Sequence, residues 1–169
     1  LFPQELAVPL IGRKSHYFAN LELYVPGIPV PQPRSKATLR AGHVVVYNPN
    51  SRVTASGERV SNGTAEYKAL IRQIAAAAYQ GAPVAKKIPV RCSIEWVFPR
   101  LAEMNSRRHS PGRIRHPVKP DRDNLDKMVL DALTGILWIN DACVCSGCLD
   151  KYYAAVDEQP HTLIRAFVL

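Results

Sequence analysis

The sequence predicts an α+β fold, a single domain in which two main helices pack on a mixed β-sheet. Three observations carry this expectation. Val90, Cys92, Ile94, Trp96 and Phe98 alternate with Arg91, Ser93 and Glu95, the period of a strand with one buried face. Residues 64–80 and the stretch after Pro120 instead space their apolar side chains three and four apart, as amphipathic helices do. The segments then follow one another as strand, helix, strand, helix, strands, with no internal repeat. A length of 169 residues, 47% apolar and 21% charged, suits one globular domain whose core needs neither disulfides nor a structural metal.

Residues 1–18 show no clear period and read as an N-terminal extension to a domain over 19–169. Leu21, Leu23 and Val25 alternate with Asn20, Glu22 and Tyr24, a half-buried strand closed by Pro26 and Gly27. From Ile28 to Arg40, three prolines (Pro29, Pro31, Pro33) oppose regular pairing, which predicts an extended loop made basic by Arg34, Lys36 and Arg40. Val44 to Tyr47 reads as a short strand, and Asn48 to Gly63 as a polar, mobile stretch. The first helix is expected over 64–80. Its inward face is Tyr67, Leu70, Ile71, Ile74, Ala75 and Ala78, its cap Thr64, and its stop Gly81 with Pro83. The strand 90–98 ends at Pro99. The second helix starts beyond Pro120 and turns Leu125, Met128, Val129, Ala132, Leu133 and Ile136 inward. Two weaker strands are expected around 142–153 and 162–168.

Lys and Arg number 22 against 14 Asp and Glu, a net charge of +8. The excess is concentrated. Arg100, Arg107, Arg108, Arg113, Arg115 and Lys119 face one acid, Glu103, in a single loop segment. The next segment, Pro120 to Asp141, reverses this with five Asp against Arg122 and Lys127. A charge run alone fits a solvated loop followed by a polar helix. It equally fits a polyanion gripped by the loop and presented to metal ions on the acids. No apolar run approaches the ~18 residues of a membrane span, and Glu5, Arg13 and Lys14 interrupt any secretory pattern. A soluble, cytoplasmic protein is the expectation. Cys143, Cys145 and Cys148 could bind zinc with Cys92 or His161, but the second paired spacing of a structural zinc site is missing. Incidental packing of small apolar side chains is the preferred reading, and a disulfide is not expected in a cytosolic protein.

The chemistry is concentrated in Lys119-Pro120-Asp121-Arg122-Asp123-Asn124-Leu125-Asp126-Lys127. In an extended approach to the helix, Asp121 and Asp123 project to one side. Lys127 follows Asp123 by about 40° around the helix axis. Asp141 comes after the helix, behind Trp138-Ile139-Asn140, and a chain that turned back would let three carboxylates and one ammonium converge. Such a set holds Mg²⁺ through hard oxygens and leaves positions for water and phosphate. Bland roles fit the same residues. Asp123 can be an N-cap, Asp121 a turn former, Asn140-Asp141 a hairpin turn, and Lys127 with Asp131 a surface pair. Spacing alone leaves both readings open.

The run from Lys119 through Asp131-Ala132-Leu133-Thr134-Gly135 to Trp138-Ile139-Asn140-Asp141 resembles the signature of the RusA family of Holliday junction resolvases. Val25-Pro26-Gly27-Ile28-Pro29-Val30-Pro31 and Lys151-Tyr152-Tyr153 are weaker likenesses. The resemblance implies a homodimeric, Mg²⁺-dependent endonuclease of bacteria or their phages, with Mn²⁺ as a substitute ion. It acts in DNA recombination and repair by nicking four-way junctions symmetrically. By that match Asp121, Asp123 and Asp141 would bind the metal and Lys127 would be the catalytic lysine. The family often has two acids before the final strand, whereas here Asn140 precedes Asp141.

Arg34, Lys36, Arg107, Arg108, Arg113, Arg115 and Lys119 are then the expected phosphate contacts, with affinity that falls with salt. A junction is two-fold symmetric and a homodimer matches it. No glycine-rich phosphate loop precedes a helix, so no nucleotide cofactor is expected. The rival expectation is a non-catalytic, basic junction-binding protein whose carboxylates are structural.

Overall fold

The computed structural model describes residues 17–34, 36–47, 51–53, 55–106 and 108–169. Residues 1–16 of the expected extension, and Arg107, lie outside the described residues. The α+β expectation holds. The strands are β1 (Leu21–Pro26), β2 (Lys36–Arg40), β3 (His43–Tyr47), β4 (Ser51–Val53), β5 (Arg59–Ser61), β6 (Val90–Phe98), β7 (Ile114–Arg115), β8 (Val144–Ser146), β9 (Leu149–Tyr153) and β10 (His161–Val168). The helices are α1 (Thr64–Ala78) and α2 (Arg122–Leu133).

The main sheet runs β1-β10-β6-β9-β7, with β8 also on β6. β6 pairs antiparallel with β10 and parallel with β9, so the sheet is mixed. Strand alternation along β6 becomes burial. Val90, Cys92, Ile94 and Trp96 join Leu23 and Val25 of β1 and Ile164 and Ala166 of β10 in one core. Ile71 and Ala75 of α1 and Leu125, Met128, Val129, Ala132 and Leu133 of α2 cover that face. Each of these large apolar side chains contributes about 1.5–3 kcal/mol by leaving water. The opposite face is charged. Arg165 bridges Glu22 and Glu95, and Arg113 bridges Glu95 and Glu158.

Several local expectations are corrected. Lys36–Arg40 is not loop but a strand paired with β3, because the three prolines all precede it and leave its amides free to donate. The stretch read as polar and mobile contains β4 and β5, which pair with each other. Gly63, not Thr64, occupies the N-cap of α1 at φ 74, and Thr64 is the first helical residue. α1 ends at Ala78 rather than near 80, and Ala78 is exposed. Ile136 lies past the last turn of α2. The strand expected over 142–153 is broken at Gly147, whose φ of 149 and close approach to the Cys92 carbonyl leave no room for a Cβ. All four cysteines are free, with Cys92 and Cys143 buried. No set of three metal-binding side chains forms among the described residues.

Candidate active site

β6 and β9 run parallel and α2 returns between them, which places the N-terminus of α2 beyond the C-terminal ends of both strands. In sheets of this kind that end is where loops converge and ligands bind. The chain arrives there through a cis Lys119–Pro120 peptide. Lys151 of β9 fastens the arriving segment by donating from Nζ to the carbonyl oxygens of Val118 and Pro120, each at 2.6 Å. Burial pushes the Lys151 ammonium below its ordinary pKa, and the Asp121 charge opposes this. On the other flank, Gln32 N donates to Asn124 O at 2.9 Å and ties the proline-rich segment to the first turn of α2. An open groove of about 640 Å³ lies between them, lined by Pro31, Arg34, Phe98, Pro120 and Asp121 among others.

Asp121, not Asp123, takes the N-cap position of α2, with extended backbone and no side-chain cap bond. Its carboxylate is therefore not spent on the helix amides. Arg34 Nη2 lies 3.1 Å from Asp121 Oδ2 and 3.9 Å from Asp123 Oδ2, so one cationic nitrogen serves both carboxylates. The expected convergence of Asp121 and Asp123 on one side is what this shared partner shows. Lys127 is exposed and makes no ion pair among the described residues. The surface pair considered for Lys127 and Asp131 does not form there either.

Asp141 is elsewhere. It opens a short 3₁₀ turn, Asp141–Cys143, capped by Asn140, whose Oδ1 accepts from Ala142 N at 2.8 Å. The hairpin turn considered for Asn140-Asp141 is thus replaced by a capped 3₁₀ turn. Val144, just beyond it, pairs with Val90 at the start of β6, whereas Lys151 pairs with Trp96. Those anchor points stand six residues apart on β6, roughly 20 Å along the strand. One chain therefore gathers two of the three expected carboxylates and leaves Asp141 toward the other end of α2. That agrees with the lack of any trio of metal-binding side chains among the described residues.

The basic loop is less free than its sequence suggests. Arg113 binds Glu95 and Glu158 at 2.7 and 2.6 Å. The pair raises the guanidinium pKa and holds the Glu158 carboxyl below its ordinary range. Arg115 is paired with Asp150 and lies over the Tyr152 ring. Arg100 donates to the carbonyls of Met104, Ser110, Gly112 and Ala154 and so shapes the loop from inside. Lys36, Arg108 and Lys119 remain exposed. Sequence reading missed Lys151 as a site anchor and Arg34 as partner of the carboxylates. The visible signals were the basic segment around Arg34 and, for Lys151, its place in the Lys151-Tyr152-Tyr153 likeness.

The carboxylate pair fits a divalent cation. It presents hard oxygens, is already organised around one positive nitrogen, and leaves an open side toward the groove. No helix among the described residues is long and apolar enough to cross a membrane. No curated protein matches the chain. The family model of endodeoxyribonuclease RusA matches residues 26–165. That span contains the proline-rich segment, β6, the approach to α2, Asp141 and most of β10. The chain belongs to the RusA family of endodeoxyribonucleases, the Holliday junction resolvases.

Proposed function

We propose that this protein resolves four-way DNA junctions by paired, symmetric, Mg²⁺-dependent nicks, acting as a homodimer with Asp121 and Asp123 at each centre. The observation that carries the proposal is the pair of carboxylates meeting on one cationic nitrogen at the α2 N-terminus, within the residues that match the family. When bound there, Mg²⁺ or Mn²⁺ supplies an activated water and charge stabilisation at the phosphoryl oxygens. Asp121 and Asp123 hold the ion. Lys127, one turn along α2, orients the scissile phosphate and offsets the charge that builds on it. Lys151 keeps the Asp121 segment in place. Arg34, Lys36, Arg108 and Lys119 grip flanking phosphates, while Arg113 and Arg115 serve chiefly to shape the loop, their charges being already paired.

The third carboxylate explains the dimer. Within one chain Asp141 forms no metal-binding trio with the pair among the described residues, and in this proposal a second copy brings its own Asp141 to complete the centre. Two such centres, related by a two-fold axis, match the two strands that must be cut. Asn140 beside it adds no charge and is occupied in capping the 3₁₀ turn.

The test is cleavage of a labelled four-way junction with and without Mg²⁺, using Asp123→Asn and a linear duplex as controls. Nicking that requires Mg²⁺ and falls at least ~10³-fold in Asp123→Asn, with junction binding retained, is expected. Tight junction binding without cutting under any divalent ion would leave the rival, a binding protein with structural carboxylates.

A further inference from the structure

β2 and β3 form a two-stranded ribbon separate from the main sheet. Their turn is Ala41-Gly42, both at positive φ (50 and 79), the two-residue geometry that matches the twist of a hairpin. The register pairs Leu39 with Val44 and Ala37 with Val46, and alternation puts these four side chains on one face. Every one of them is apolar and exposed, with Leu39 at 72%, Val44 at 66% and Val46 at 65%. The other face carries Lys36, Thr38, Arg40, His43 and one further apolar residue, Val45. An isolated hairpin that holds its apolar face to solvent is unusual, because the face is costly in water and nothing in the core needs it.

Charge identifies the occupant. No acidic residue occurs between Glu22 and Glu58, while Arg34, Lys36, Arg40 and Arg52 are basic. The ribbon itself holds Lys36 and Arg40 and no acid, so a protein partner would have to be acidic and apolar at once. Nucleic acid meets both demands, with phosphates outside and the faces of unstacked bases within. The ribbon also begins at the active site. Arg34 touches Asp121, and Leu39 is five residues further along the chain, at most ~18 Å of extended backbone. At about 3.4 Å per phosphate along one strand, the tip reaches within about five nucleotides of the cut.

We propose that the β2–β3 hairpin is a wedge for branched DNA, with Leu39 and Val44 entering the base stack at the branch point while Lys36 and Arg40 hold the adjoining phosphates. The proposal rests on the junction-cutting reading above and deepens it. The wedge distinguishes a branch from a linear duplex, since unstacking costs least where pairing is already interrupted. It also places the reactive phosphate a fixed distance from the branch.

A junction carrying a fluorescent adenine analogue at the branch point tests this in EDTA, where no strand is cut. Saturation with the wild-type protein is expected to raise emission about threefold or more as the analogue unstacks. Leu39→Ser/Val44→Ser should lose most of that rise while melting at the wild-type temperature and binding the junction within about tenfold of wild type. Leu39→Phe should keep it. Tight binding with no rise, or a full rise with the double serine variant, overturns the wedge and leaves the nuclease reading standing. A double variant that sediments as a smaller species also overturns it, because the face then belongs to a second copy. Equal affinity of the wild type for junction and duplex defeats the reading beneath it as well.

Discussion

Arg34 stands against both carboxylates at the start of α2. Its guanidinium holds the oxygens that a divalent cation at the proposed centre would take, and its side chain is 72% exposed, so little holds it there. An exposed pair of this kind is worth about 0.2–1 kcal/mol. Arg34→Ala should therefore tighten Mn²⁺ binding to the DNA-free protein by up to about fivefold, read by the loss of free-ion EPR signal in a titration. The same variant should bind junctions more weakly, because the displaced guanidinium would otherwise pass to a phosphate. Unchanged Mn²⁺ affinity would mean that the guanidinium and the ion do not compete. Lys151 acts differently, through the backbone. Lys151→Met leaves the Val118 and Pro120 carbonyls without their ammonium, costing about 1.5–3 kcal/mol of stability in denaturant melts. Because the lost bonds position Asp121 rather than touch DNA, kcat for nicking should fall while junction Kd holds, and Lys151→Arg should recover part of the rate. Equal losses in both would make Lys151 a DNA contact instead.

At the scale of elements, α2 serves the core and the site from different sides. Leu125, Met128 and Val129 are buried, Asp121 and Asp123 open its solvent end, and Asp126 is drawn toward Cys92 beside β8. Burial raises the Asp126 pKa, which Arg122 partly offsets, and burial together with Asp126 pushes the Cys92 thiol up to about 12. A carboxyl whose pKa is raised by folding favours the folded state only while protonated in it. That contribution is present below the unfolded pKa and lost as pH rises through the folded value. Asp126→Asn should therefore melt above wild type at pH 7, with the gap narrowing toward the ordinary Asp pKa of about 3.9, as a pH series of thermal melts would record. A gap independent of pH would trace the gain to packing. α2 and β6 were legible in the sequence because both are buried along one face, and burial writes its period into residue type. β2 was not, since both faces of the ribbon meet solvent and the preceding prolines disguised it. The meeting of Arg34 with Asp121 spans 87 residues and leaves no local trace. Nor does the pairing of Arg113 with Glu95 and Glu158, which ties the basic loop to β6.

For the whole molecule the decisive fact is the placement of Asp141. The approach to α2 and the turn after it are tied to opposite ends of β6, and among the described residues Asp141 forms no metal-binding trio with Asp121 and Asp123. A centre completed across a two-fold axis makes an unusual demand on mixed dimers. When Asp121→Asn and Asp141→Asn chains are unfolded together and refolded as a mixture, each heterodimer contains one centre with both defects and one with none. Random pairing makes half the dimers mixed, so about a quarter of the wild-type centres should reappear, although each variant alone is inactive. The recovered activity should be single nicks rather than paired ones, because the intact centre has no working partner across the junction. Activity that stays absent in the mixture, with heterodimers verified by mass spectrometry, would mean that each chain closes its own centre. Asp141 would then have to reach the pair by rearrangement of the 139–149 segment when DNA binds, and metal affinity in the free protein would not depend on dimer concentration.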